Sequence, residues 1–188
     1  MANILNMIYA PLTDETVILI LNYFTNFFTC FGAIFVLVVN LVILESTIIF
    51  SIKKQNTYII GYGLLLLTGM IPFYILGKDY GVWIDNNYPR FSPLFLIFII
   101  VFTASFVVIP IISTSFKIYK SFETIALKKK WFFYLIGSLG AFSIPYLIWI
   151  SNYYSFYNEN FRLIVGIYAI SVILWGYLMY YGIGFKLK

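Results

Sequence analysis

Apolar residues in this chain gather into five long runs, and polar residues into the short links between them. The runs cover about Val17 to Ile52, Thr57 to Leu76, Ser92 to Ser115, Trp131 to Ile150 and Arg162 to Tyr181. A helix rises about 1.5 Å per residue and needs about 20 apolar residues to cross roughly 30 Å of hydrocarbon. Four runs match that length. The first is too long, since as one helix it would reach roughly 54 Å. Either residues 14–27 form an outer helical extension of a span over Phe28 to Phe50, or the run folds as a tight hairpin. The extension is preferred, because no proline and only Gly32 interrupts the run. Asn22, Thr25, Asn26 and Thr29 also fall at i, i+3, i+4 and i+7, a polar stripe suited to the headgroup layer or to a protein contact. Thr13 to Thr16, with Asp14 and Glu15, makes a good helix start. The pattern predicts an all-α fold: a polytopic integral membrane helical bundle of about five transmembrane helices with a long first helix, one domain over residues 1–188.

Composition agrees with this solvent. Hydrophobic residues make up 62% and charged residues 10%, too little charge to cover a water-soluble domain of this size. Residues 1–11 carry no basic side chain, which argues against a cleaved leader. Lys53, Lys54, Lys117, Lys120, Lys128, Lys129, Lys130, Lys186 and Lys188 fall on one side of a five-span bundle, with Lys78, Arg90 and Arg162 opposite. The positive-inside rule then places the lysine-rich links and the C-terminus in the cytoplasm and the N-terminus outside. The hairpin alternative moves only the N-terminus. A cell membrane is preferred to an organelle inner membrane. Trp83, Tyr88, Tyr153, Tyr154 and Tyr157 suit an outer aromatic belt, and Tyr119 and Trp131 an inner one. Pro72, Pro110 and Pro145 predict kinks inside three spans, and Gly137 with Ala141 allows a close helix approach.

Few residues offer chemistry. There is no histidine, and the one cysteine, Cys30, reads as a packing residue. No catalytic triad, metal-ligand spacing or phosphate loop is present, so the sequence predicts no cofactor, no metal and no nucleic-acid partner, and argues against an enzyme. Glu45 is the one acidic residue within a run, and a carboxylate at such a place is a functional candidate. Asn40 and Thr47 could complete a ligand or ion site with it. A carboxylate reaching toward the inner headgroups, or held protonated, is the plainer alternative. Arg162, beside Glu159 and Asn160, reads as an interfacial anchor or ion pair, or as an anion site. Asp79, Asp85 and Arg90 read as a solvated loop, or as a cap over a cavity. Lys128, Lys129 and Lys130 would attract anionic lipid headgroups, at about 1 kcal/mol each.

From Lys117 onward the chain joins a basic link, Lys129-Lys130-Trp131-Phe132-Phe133-Tyr134, to Phe161-Arg162-Leu163-Ile164 and the ending Tyr180-Tyr181-Gly182-Ile183-Gly184. This part resembles the last spans of multi-span (7TM-type) sensor regions of archaeal and bacterial membrane signalling proteins. The chain departs from that pattern in having five predicted spans and no output domain, so the resemblance implies a separate signalling partner. The function expected first is a non-enzymatic membrane module: a sensor or scaffold, or an accessory subunit of a larger complex, such as an energy-coupling one. Its partners would be the bilayer, including anionic lipids, with other membrane subunits or further copies of itself. The alternative is a small transporter or channel component with Glu45 in the pathway.

Overall fold

The computed structural model describes residues 14–85, 88–154 and 159–184, and of 46–49, 159 and 184 the backbone alone. The expectations for residues 1–11 and for Thr13, Tyr157, Lys186, Lys188 and the side chains of Thr47 and Glu159 lie outside the described residues. Seven α-helices and a hairpin follow one another among the described residues: α1 (Glu15–Ile49), α2 (Ile52–Leu76), β1 (Val82–Asp85), β2 (Tyr88–Phe91), α3 (Pro93–Thr103), α4 (Ile109–Ser121), α5 (Ile125–Tyr154), α6 (Glu159–Ala169) and α7 (Val172–Gly184). They compose five helical segments long and apolar enough to cross a membrane: Glu15–Glu45, Ile52–Asp79, Pro93–Ser121, Ile125–Tyr154 and Asn160–Ile183.

The long first run is one helix, and no hairpin interrupts it. Residues 14–27, however, do not project as an extension. Tyr23 donates to the Leu67 carbonyl of α2 at 2.8 Å, Asn26 reaches Tyr74, and Tyr62 donates to the Cys30 carbonyl at 3.1 Å. These contacts hold the start of α1 inside the bundle. The buried face repeats helically through Ile18, Asn22, Asn26, Cys30, Ile34 and Leu37. Cys30 is 1% exposed within the main core, as its reading as a packing residue requires.

Several links expected from the polar residues are helical. Lys53 and Lys54 lie in the first turn of α2, Lys117 and Lys120 in α4, and Lys128, Lys129 and Lys130 in α5. Lysine is a good helix former, so the helices continue past their apolar stretches. Trp131 also departs from its expected place in an aromatic belt. It is 4% exposed, stacks near Tyr134 and Phe122, and donates its indole N–H to the Ser115 carbonyl at 2.9 Å.

The link between α2 and α3 is folded. Val82 pairs with Phe91 and Asp85 with Tyr88 in an antiparallel hairpin, and the Val82 and Phe91 side chains are buried in the core. Arg90 is buried too, with its Nε 3.4 Å from Asp85. This replaces the solvated loop expected for Asp85 and Arg90. Gly81 starts the hairpin where only glycine fits, because a Cβ there would collide with the Phe73 carbonyl.

Between α3 and α4 the helix opens into a π turn over Ala104–Val108, just before Pro110. The last segment breaks at residues 170–171 without a proline, and Trp175 donates to the Ser171 hydroxyl at 2.8 Å across the break. α5 and α7 meet along glycines. A Cβ at Gly137 would sit 2.7 Å from the Met179 nitrogen, and one at Gly182 would sit 2.7 Å from the Tyr134 nitrogen. Small residues let two backbones approach this closely.

The seam makes a specific demand. G137A is expected to lower stability by about 1–3 kcal/mol, because backbone must move. G176A, whose added Cβ meets nothing within 4 Å, is expected to stay within about 0.5 kcal/mol of the parent. Thermal unfolding of both variants in mild detergent checks the contrast.

Candidate functional site

A cavity of about 580 Å³ occupies the space between α1 and the α6–α7 segment, with α5 as its third wall and Tyr88 and Pro89 of β2 at one end. Its making follows from the sequence of each wall. The Asn22–Thr29 stripe gives α1 a polar face, and that face turns inward. Asn22 and Asn26 are 2% and 4% exposed, so their amides must find partners within the protein.

Asn26 is the hub. Its amide nitrogen donates to Asn22 Oδ1 at 3.0 Å and to the Tyr74 hydroxyl at 2.9 Å. Its Oδ1 accepts the indole N–H of Trp149 at 3.0 Å. Tyr74 donates to Asn22 Oδ1 at 2.8 Å, which closes a ring of polar groups joining α1, α2 and α5. Thr25 and Thr29 spend their hydroxyl protons on their own helix, at Leu21 and Thr25 carbonyls.

The same end of the cavity holds Ser151 and Asn152 of α5 and Arg162 of α6. Ser151 is 2% exposed, and its hydroxyl has no hydrogen-bond partner among the described residues. A buried hydroxyl left in that state costs roughly 1–3 kcal/mol. The Arg162 guanidinium lies over the Tyr88 ring, 4.4 Å from its centre, and joins α6 to the hairpin. Away from this end the walls turn mostly apolar, through Gly32, Ala33, Ala141 and Val172 to Met179, with Ser138 the exception, its hydroxyl donating to the Tyr134 carbonyl. Gly32 and Gly166 leave room there, since a Cβ on either meets nothing within 4 Å.

The residues singled out from sequence do not converge. Arg162 lines the cavity, whereas Asn40, Glu45 and the lysine run do not. Asn40 is fully buried and braces α4: its amide donates to the Ile111 carbonyl and to the hydroxyls of Thr114 and Ser115, the last at 2.8 Å. Glu45 lies 19 residues beyond Asn26 on α1, about 28 Å along the helix. Lys128 sits 5.9 Å from the Tyr119 ring centre, and Lys129 is exposed. Among the described residues no cluster of three or more metal-ligating side chains occurs.

Ser151 and Trp149 escaped sequence reading as site residues, and Tyr88 read only as part of an outer aromatic belt. Trp149 stands inside an apolar run, and Ser151 opens what reads as a polar link, so neither breaks the local pattern. The α1 stripe was the legible signal. No protein-family model, curated protein or solved structure matches this chain.

The polar ring predicts a coupling. W149F leaves Asn26 Oδ1 without its indole donor and is expected to cost about 1–2 kcal/mol. With N26L as the second mutation, the two losses should be less than additive in a double-mutant cycle. Additive losses in chemical or thermal unfolding would show that the bond contributes nothing.

Proposed function

We propose that this chain is an integral membrane protein of five spans that works as a non-enzymatic sensor module, holding a small molecule in the cavity between α1 and α6–α7. The single observation that carries the reading is the cavity itself, about 580 Å³ between α1 and α6–α7, polar where Asn22, Asn26, Asn152 and Arg162 line it and mostly apolar beyond them. Pockets for small ligands are mostly apolar, with a few convergent polar groups, and span roughly 300–1,000 Å³. This cavity has that composition and size.

The lysine-rich helix ends face the cytoplasm in this reading, and the hairpin and cavity lie toward the opposite surface. Exposed Lys129 and its neighbours Lys128 and Lys130 contact anionic lipid headgroups. Occupancy of the cavity bears on α6–α7, the most thinly covered of the five apolar segments, with 6% of its most apolar stretch buried against 22–33% in the others. A partner protein or a second copy would read that segment. This fits the resemblance of the second half to sensor regions. The transport alternative gains less support, because Glu45 is not among the residues lining the cavity.

Two measurements test the reading. In a C30A background, K78C should react with a membrane-impermeant thiol reagent added outside intact cells, and K120C only after permeabilisation; the reverse pattern sinks the topology. For the cavity, removal of co-purified small molecules should lower the unfolding temperature of the parent protein, as loss of any ligand bound to the folded state does. G166L fills the cavity and should not respond to that removal. An equal response of parent and G166L rules the cavity out as the ligand site.

A further inference from the structure

We propose that residues 168–171 form a hinge, on which α6 swings as a movable wall of the cavity while α7 stays fixed to α5. The hinge stands on how α6 and α7 are bonded and packed. That its movement admits a ligand rests on the reading of the cavity as a ligand site.

Hydrogen bonding locates the pivot. Along an α-helix each N–H reaches the carbonyl four residues back. Here the Ile170 N–H reaches Ile167 at 3.1 Å, Ser171 reaches Tyr168 at 2.9 Å and Ile173 reaches Ile170 at 3.3 Å, each three residues back. The four-residue pattern resumes where the Trp175 N–H meets the Ser171 carbonyl at 3.1 Å. A tightened stretch inside a helix is a place for bending. The segment Asn160–Ile183 contains no proline, so no ring fixes the bend at one angle.

The two halves are held by contacts of different kinds. α7 presses its backbone onto α5: Gly137 faces the Met179 nitrogen, Gly182 faces Tyr134, and the Trp175 ring fills the notch left by Gly140. A tilt of α7 would drive backbone into backbone. Trp175 also holds the Ser171 hydroxyl, so one side of the break is tied to that seam. α6 meets its neighbours through side chains, which can turn with it. The Tyr168 and Ser143 hydroxyls bond at 2.8 Å, Phe161 meets the Tyr154 ring, and Arg162 lies over Tyr88. Inward, α6 presents Gly166 and Ala169 to the cavity. Outward, it presents the exposed Leu163, Ile164 and Ile167 to the bilayer. Its 11 residues reach about 16 Å from the hinge, so a tilt of about 20° carries the far end about 5 Å. The gap beside α1 then widens on the bilayer side, and an apolar ligand enters there.

The test uses the full chain in lipid nanodiscs, in a C30A background and with no ligand added. Spin labels on F35C with I164C, and on F35C with Y180C, report the α1–α6 and α1–α7 separations by double electron–electron resonance; all three positions are exposed. The Ile164 pair should show two populations about 5 Å apart, and the Tyr180 pair one. Y168F removes the hydroxyl bond to Ser143 and should shift the Ile164 pair toward the longer distance, with the Tyr180 pair unmoved. A single population for the Ile164 pair in both proteins overturns the hinge. A Tyr180 pair as broad as the Ile164 pair overturns the fixed α7, since the segment then moves as one body. Trp149 lines the cavity and reports the route. Its quenching by lipids brominated on their acyl chains, taken as the difference from a W149F version, should rise in Y168F; an unchanged difference overturns entry from the bilayer. None of these readouts needs a bound ligand, so the G166L comparison decides the proposed function separately.

Discussion

One side-chain amide holds the walls of this molecule in register. Asn26 accepts from Trp149 and donates to Asn22 and Tyr74, so α5 and α2 are both fastened to the same turn of α1. Apolar packing alone would let long smooth helices slide, because one leucine contact resembles the next. A hydrogen bond between buried polar groups has one geometry, and breaking it leaves groups that nothing nearby can satisfy. The ring of Asn22, Asn26, Tyr74 and Trp149 therefore selects a register, whatever its net contribution to stability.

Two kinds of contact then divide the bundle. On the α1–α2 side, tyrosine hydroxyls and asparagine amides reach across between helices. On the α5–α7 side, glycines bring backbones together with no side chain between them. A bulky, hydrogen-bonded wall and a close glycine seam hold their helices at different distances from α5. The space left between α1 and α6–α7 is the cavity. It is a consequence of how each helix is attached, and the break at residues 170–171 lies along it, with Ala169 and Val172 both lining the wall.

The polar end of the cavity gathers groups from four parts of the chain: the α1 stripe, the start of β2, the end of α5 and the start of α6. Each has a structural use as well. Arg162 fastens to Tyr88, and Asn26 fastens α5. Ser151 differs, because its buried oxygen has no partner among the described residues.

The alternation of apolar and polar runs was enough to determine five helical segments; it preferred one helix to a hairpin for the first run and left its polar stripe between the headgroup layer and a protein contact, and packing decided both. Hydrophobic length and helical periodicity are local properties, whereas the place of residues 14–27 was set by the contacts of Tyr23, Asn26 and Cys30 with α2. The hairpin was not legible, because eight strand residues among turn formers carry no long pattern, and their pairing depends on Val82 and Phe91 finding the core. Asn40 looked like a companion to Glu45, yet it turns to the carbonyl and hydroxyls near Pro110, about 70 residues away in sequence. The cavity likewise belongs to no segment. Its walls come from helices whose spacing is decided by glycines on one side and by a buried amide on the other, and such distances exist only once the helices have packed.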